Sequence, residues 1–304
     1  MAFFKKRETL VDNIAYMALM AAINVIFVLL TTLVPFLLFV LVFILPLTSL
    51  IVTIYCKKKL FILYAITTVL LCLLVTIWNI GDTLFYVIPS IVSGFIFGLL
   101  IEKKVSAILI ILITTLVQAI MMYPMIPLIQ LITGRNIVDD FLVVFNLSSF
   151  PYTKHLTHMF IILMALIQEI ISFIVIYDEI GKFGIDTQEE NDDTLIISII
   201  VIGLVIAITI SYFFINEAVN ALLILLLVLG VYQTSQIINE KKTLCIALMF
   251  VSFIITFFML TGLFRVLNKD NPSGFLTLGV YPLLISLISL FNKYLFNKQK
   301  EYKI

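Results

Sequence analysis

The sequence predicts an all-α, polytopic protein that crosses a lipid bilayer about ten times. Hydrophobic residues make up 62% of the 304 residues and charged residues only 12%, whereas soluble domains carry about 45–50% and about 25%. Apolar stretches of about 20 residues recur along the chain, which is the length a helix needs to cross the hydrocarbon core. Most lysines and arginines lie in short clusters between these stretches.

Taking that length in order along the chain divides it into ten predicted spans. Thr31, Thr32 and Pro35 predict a tight turn between the first two, and Pro46 predicts a kink inside the second. The predicted spans are 13–34, 36–56, 60–78, 83–101, 105–125, 157–177, 194–215, 219–238, 243–264 and 274–294.

The distribution of positive charge predicts the orientation. If the N-terminus is cytoplasmic, the inner segments carry fifteen of the nineteen lysines and arginines. The outer loops carry the other four, which are Arg135, Lys154, Arg265 and Lys269. Because lysine and arginine are retained on the cytoplasmic side, this asymmetry predicts that both termini are cytoplasmic.

Two loops divide the predicted bundle. The outer loop, 126–156, follows Pro124 and Pro127, and its apolar stretches predict that it lies at the membrane interface. The inner segment 178–193 carries seven acids against Lys182 alone. We therefore predict a six-helix bundle over 1–177, an acidic cytoplasmic linker over 178–193 and a four-helix bundle over 194–304.

Glu169 is the acid that lies well inside a predicted span, next to Gln168. An ionisable side chain at that depth costs roughly 2.5–3.5 kcal/mol on insertion scales, so it indicates a functional site. Two interpretations remain open. The carboxylate binds a cation, a proton or a positively charged solute group, or it locks two helices together through a hydrogen bond with help from Gln168.

Further polar and aromatic residues near the outer ends of the first six spans are candidates for binding the same solute. Trp78 and Tyr123 also fit the aromatic belt at a membrane interface. The candidates in addition to Glu169 and Gln168 are Trp78, Asn79, Asp82, Gln118 and Tyr123.

Small residues at helical spacing predict close helix contacts. Ser90, Gly94 and Gly98 form a small-residue stripe in the fourth span, which we interpret as a packing surface. Ala18 and Ala22 form a similar surface on the first span.

The lack of recognisable catalytic motifs favours a protein that is not an enzyme. The sequence contains no GxSxG elbow, P-loop or HExxH motif, so ATP hydrolysis by this chain is not predicted. His155 and His158 share a helical face without a third ligand, and we predict neither a metal site nor a cofactor. The net charge of +1 does not favour nucleic-acid binding.

Several stretches carry a resemblance to a known family. They are Ala15–Ala22, Pro46–Leu50, Lys57–Lys59, Pro89–Gly94, Glu102–Lys104, Leu222–Gly230, Glu240–Lys242 and Leu260–Arg265. With them the chain resembles the YybS-like family of bacterial membrane proteins, whose N-terminal part is similar to the substrate-binding (S) subunits of energy-coupling-factor transporters. Those subunits have six helices and dock on a coupling subunit through an Ala-x-x-x-Ala surface, which Ala18 and Ala22 match. The four helices after 178–193 depart from that plan.

Composition and resemblance together favour a transport-related protein in the cell membrane, where its first contact is the lipid bilayer. The resemblance implies a bacterial protein that binds a small solute, such as a vitamin or an ion, and depends on separate ATPase and coupling subunits. The alternative is a non-catalytic scaffold that organises other membrane proteins. A membrane-embedded enzyme is a third, less favoured function.

Overall fold

The protein is all-α, as the sequence predicts. The computed structural model describes residues 6–34, 37–136, 153–182, 193–214, 216–239, 243–266 and 272–301, with Asp139 and Val143. Within these residues no strand occurs. The ten long helices there are α1 (Leu10–Leu33), α2 (Leu38–Tyr55), α3 (Phe61–Val75), α4 (Ile88–Glu102), α5 (Ala107–Thr133), α6 (Thr153–Lys182), α7 (Thr194–Phe214), α8 (Asn216–Asn239), α9 (Thr243–Val266) and α10 (Val280–Glu301).

These helices have the length and composition of membrane spans. Among the described residues, eight helices are long and apolar enough to cross a membrane. The other two, α2 and α9, carry shorter described apolar stretches, Ile44–Tyr55 and Thr243–Met259. Large apolar side chains on the outer faces are exposed, for example Ile66, Leu74 and Phe258. Exposing so much apolar surface to water would be unfavourable in free energy, so these faces are suited to a lipid environment.

The chain forms two compact units. The first comprises Met1–Thr153 and Ile161–Glu190, and the second comprises Lys154–Phe160 and Asn191–Ile304. Residues 183–192 lie outside the described residues, so the acidic linker stays a prediction. In the second unit, Gly230 on α8 packs so closely on α10 that an added Cβ would lie 2.8 Å from Pro282 Cγ.

Glycine permits a close approach of α2 and α4 in the first unit. A Cβ on Gly94 would lie 2.8 Å from Ser49 Cβ and would overlap the Pro46 carbonyl oxygen. A Cβ on Gly98 would lie 2.7 Å from Thr53 Cβ. Because the two glycines have no side chains, the backbones of α2 and α4 approach closely. Small residues promote helix packing in membranes in this way.

A closed ring of hydrogen bonds joins α1, α2 and α3. Asn24 Nδ2 donates to Tyr64 Oη (3.0 Å), Tyr64 Oη donates to Thr48 Oγ1 (3.1 Å), and Thr48 Oγ1 donates to Asn24 Oδ1 (2.8 Å). All three side chains are buried. Each of them both donates and accepts, so the ring offsets the cost of placing polar groups inside the unit. We call these three residues the Asn24 ring.

The end of α5 differs from the prediction of a span that stops near residue 125. The helix continues through Pro124 and Pro127 to Thr133. It stops at Gly134, whose φ of 70° is left-handed and whose N–H donates to Gln130 O (2.9 Å). A glycine in this conformation closes a helix without steric cost, whereas membrane helices tolerate internal prolines. The stop signal is therefore the glycine.

Three basic segments of the first unit lie at the same end of the bundle. The Arg7 N–H donates to Tyr55 O at the end of α2 (2.9 Å). The Lys58 side chain forms an ion pair with Glu102 at the end of α4. Two segments at the same end of a membrane bundle are separated by an even number of crossings, as the predicted topology has them. That this end is cytoplasmic stays a prediction from the charge distribution.

Candidate functional site

The interior of the first unit contains a second group of polar side chains, contributed by α4, α5 and α6. Each has an exposed fraction of 1% or less. Because α4 has Ser90 and Ser93 one turn apart and α5 has Thr114 and Gln118 one turn apart, each helix presents two polar groups on the same face. We call this group the Glu169 cluster; its members are Ser90, Ser93, Thr114, Gln118, Gln168 and Glu169.

The two glutamines and Ser90 are connected by hydrogen bonds. Gln118 Nε2 donates to Gln168 Oε1 (3.0 Å), and Gln168 Nε2 donates to Ser90 Oγ (2.7 Å). These two bonds join all three helices and position the α6 turn that carries Glu169. Gln118 Oε1 has no hydrogen-bond partner among the described residues.

Glu169 lacks the partners that its neighbours have. Within the described part of the chain, neither of its carboxyl oxygens accepts a hydrogen bond, although its exposed fraction is 0%. The hydroxyl groups of Ser93 and Thr114 are close enough to interact with it. However, Ser93 Oγ donates to Ser90 O (3.2 Å) and Thr114 Oγ1 donates to Ile110 O (2.8 Å). Each hydroxyl group thus lies between a backbone carbonyl oxygen and the carboxyl group, and rotation of its O–H decides which of the two it donates to.

The position of Glu169 along α6 places it deep in the span. The apolar stretch of this helix is Thr157–Ile176, and at roughly 1.5 Å per residue Glu169 lies about 18 Å from its start. A buried carboxylate costs several kcal/mol unless it gains a partner or a proton. The Glu169 cluster can therefore bind a positive charge, to which its carboxylate and its hydroxyl and amide oxygens would be ligands, or it can hold a proton.

The structure brings together some of the predicted binding residues and separates others. Gln118, Gln168 and Glu169 meet in one cluster, and Ser90, predicted to be a packing residue, also belongs to it. Trp78 is 97% exposed and Asn79 is exposed as well, so neither contributes to the buried cluster. Tyr123 is half-buried. Only the backbone of Asp82 is described, at the end of the short helix Ile80–Asp82.

The predicted docking surface on α1 is open. Ala18 and Ala22 are both exposed within the first unit. No group of three histidine, cysteine or acidic side chains lies close enough to hold a metal ion in the part of the chain that the structure describes. The side chain of His155 lies outside that part, and His158 is half-buried.

Sequence reasoning missed Ser93 and Thr114. Both are uncharged and occur in apolar stretches, where serine and threonine usually satisfy themselves by bonding to their own helix. Their spacing was the available signal, since Ser93 follows Ser90 by one turn and Thr114 precedes Gln118 by one turn.

Comparisons of this chain with family models, with curated proteins and with solved structures find no match. The resemblance to YybS-like proteins and to S subunits therefore stays a prediction.

Proposed function

We propose that this chain is a non-enzymatic, transport-related membrane protein whose first unit binds a small positively charged species at Glu169. That species is either a monovalent cation or the ammonium group of a small organic solute. The observation that carries the proposal is the fully buried carboxyl group with no hydrogen-bond partner among the described residues.

The cost of this arrangement supports a binding role. Removing a carboxylate from water without a partner costs several kcal/mol. If Glu169 served only in helix packing, an apolar side chain at this position would make the protein more stable. A bound cation offsets the cost, because its attraction to the carboxylate is strong in a medium of low dielectric.

The neighbouring groups supply the rest of a coordination shell. Gln118 Oε1 is a further buried acceptor that no described donor satisfies. The Ser93 and Thr114 hydroxyl groups lie beside the carboxyl group, and with their protons directed to the backbone carbonyl groups they would offer lone pairs to a bound cation. An array of oxygens around one carboxylate is suited to a hard monovalent cation or to the N–H groups of an ammonium ion.

The test is thermal unfolding of the full-length purified protein in sodium, potassium, lithium or methylammonium chloride, against N-methylglucamine chloride at equal ionic strength. A ligand that binds only the folded protein raises the unfolding midpoint as its concentration passes its Kd. We expect at least one of the four cations to raise the midpoint of the wild type, and none to do so in Glu169→Gln. If none of the four stabilises the wild type, the proposed site is wrong.

Glu8→Gln is the matched control, because it makes the same chemical change at an exposed residue. This variant should retain the cation response of the wild type. If Glu8→Gln lost the response together with Glu169→Gln, net charge and not the buried site would explain it.

The resemblance to S subunits, together with the exposed Ala18 and Ala22, supports the further proposal that energy comes from separate ATPase and coupling subunits. Tagged protein solubilised gently from its native membrane should retain these subunits, and Ala18→Leu/Ala22→Leu should lose them while keeping the cation response. Retention of other membrane proteins without an ATPase would favour the scaffold function.

A further inference from the structure

The end of the first unit that carries the basic segments contains a cavity unrelated to the Glu169 cluster. Its volume is about 620 Å³. Four positive side chains line it, and the carboxylate of Glu102 is the negative group among its lining residues; the four are Lys6, Arg7, Lys57 and Lys58. Glu102 forms an ion pair with Lys58, so positive charge is in excess among the residues that line the cavity.

Specific hydrogen bonds bring these charges together from distant parts of the sequence. Asn13 is fully buried, and its Nδ2 donates to Arg7 O (3.1 Å) and Thr9 O (2.6 Å). Its Oδ1 accepts from the Lys57 N–H (2.8 Å), and the Arg7 N–H donates to Tyr55 O (2.9 Å). The N-terminal segment is thereby held against the turn after α2. The cavity therefore depends on hydrogen bonds of the backbone and of a buried side chain, and not only on the positions of long, flexible side chains.

A contact with Tyr16 orients the Arg7 side chain. Its guanidinium carbon lies 4.5 Å from the centroid of the Tyr16 ring, a cation–π distance that orients the planar group. Like charges that are collected in one cavity repel one another, and a bound anion would relieve that repulsion. The wall of the cavity adds apolar surface from Ile54 and Tyr55.

We propose that this cavity binds the phosphate-bearing headgroup of an anionic phospholipid. Arginine and lysine are the usual ligands of phosphate oxygens, through bidentate bonds and through point charge respectively. The cavity lies at the end of helices that have the composition of membrane spans, where headgroups lie. Basic pockets between helices at that level are suited to anionic lipid. A free phosphate shares the same chemistry, and the experiment separates the two.

Native mass spectrometry of the full-length, delipidated protein in detergent tests the proposal. The probes are phosphatidylglycerol, phosphatidylcholine and inorganic phosphate, each titrated into the wild type and two double variants. Lys6→Gln/Lys57→Gln removes two charges from the cavity and leaves the Lys58–Glu102 ion pair and the Arg7–Tyr16 contact in place. Lys59→Gln/Lys103→Gln removes two exposed charges that do not line the cavity.

We expect the wild type to bind phosphatidylglycerol at least tenfold more tightly than phosphatidylcholine. Lys6→Gln/Lys57→Gln should lose that preference, and Lys59→Gln/Lys103→Gln should keep it, with both variants unfolding near the wild-type midpoint. An equal loss in the two variants would show that only overall charge matters and would overturn the proposal. Binding of inorganic phosphate with no preference between the two lipids would overturn the lipid assignment.

Discussion

The first unit contains two buried polar groups of similar size, and they differ in how their hydrogen bonds are satisfied. In the Asn24 ring, each side chain donates to one partner and accepts from another. In the Glu169 cluster, the glutamines and Ser90 are connected, but both carboxyl oxygens of Glu169 lack a partner among the described residues. A satisfied ring stabilises a fold, whereas an unsatisfied carboxylate costs stability and needs a ligand or a proton.

Helix α4 packs on the helix that carries Thr48 and contributes Ser90 to the Glu169 cluster. One of its faces carries Gly94 and Gly98 against α2, the helix that contributes Thr48 to the Asn24 ring. Ser90, on the same helix, reaches Gln168 of the Glu169 cluster. A change in the position of α4 therefore affects both groups, whereas a side-chain change within one group should leave the other intact.

The largest effect is expected from Gly94→Ala, which would disrupt both groups together. Its Cβ would overlap the Pro46 carbonyl oxygen, and backbone cannot move away as a flexible side chain can. We expect a loss of about 3 kcal/mol in the free energy of unfolding, the upper end for overpacking, together with loss of the cation response. Denaturant unfolding in detergent measures the first and the salt series measures the second.

Gly203→Ala is the control for this variant, since nothing lies within 4 Å of a Cβ added there. It should be neutral or stabilising by up to about 1 kcal/mol, because alanine favours helix more than glycine does. Equal destabilisation by both variants would show that close α2–α4 packing is not the cause.

The next effect tests the Glu169 cluster by itself. Glu169→Gln should weaken cation binding at least tenfold, which corresponds to about 1.4 kcal/mol, because the charge that attracts the ligand is gone. In the absence of ligand, its free energy of unfolding should equal or exceed that of the wild type, since an unpaired buried carboxylate is removed. Destabilisation of the unliganded protein by Glu169→Gln would instead identify Glu169 as a helix lock.

Tyr64→Phe tests the Asn24 ring and should have the opposite pattern. It removes a hydroxyl that accepts from Asn24 and donates to Thr48. We expect a loss of about 1–2 kcal/mol in the free energy of unfolding, the range for interhelical hydrogen bonds in model membrane peptides. The cation-induced shift of the unfolding midpoint should remain at the wild-type value. A reduced shift would show that the two groups are energetically coupled and do not act independently.

The smallest effect is expected from Ser93→Ala. Its hydroxyl donates to its own helix at Ser90 O and lies beside the Glu169 carboxyl group. The free energy of unfolding should change by less than about 0.5 kcal/mol. Affinity for the stabilising cation should fall a few-fold, because one oxygen facing the ligand is removed. An unchanged affinity, measured by the same salt titration, would place the cation away from α4.

Composition and segment length by themselves determined the helical architecture of this protein. An apolar stretch of about 20 residues is a local property, so the ten helices and the position of Glu169 within an apolar helix follow from the sequence alone. The end of α5 could not be predicted in this way. Pro124 and Pro127 are ordinary helix breakers in water but remain inside this helix.

Tertiary structure alone decided which polar side chains meet. Gln118 bonds to Gln168 across fifty positions of sequence, while Trp78 and Asn79, grouped with them by sequence, lie exposed. The physical reason is that lipid-facing and core-facing side chains are equally apolar in a membrane protein, so hydrophobic periodicity does not reveal how each helix is rotated. Whether a buried carboxyl group has a partner depends on that rotation.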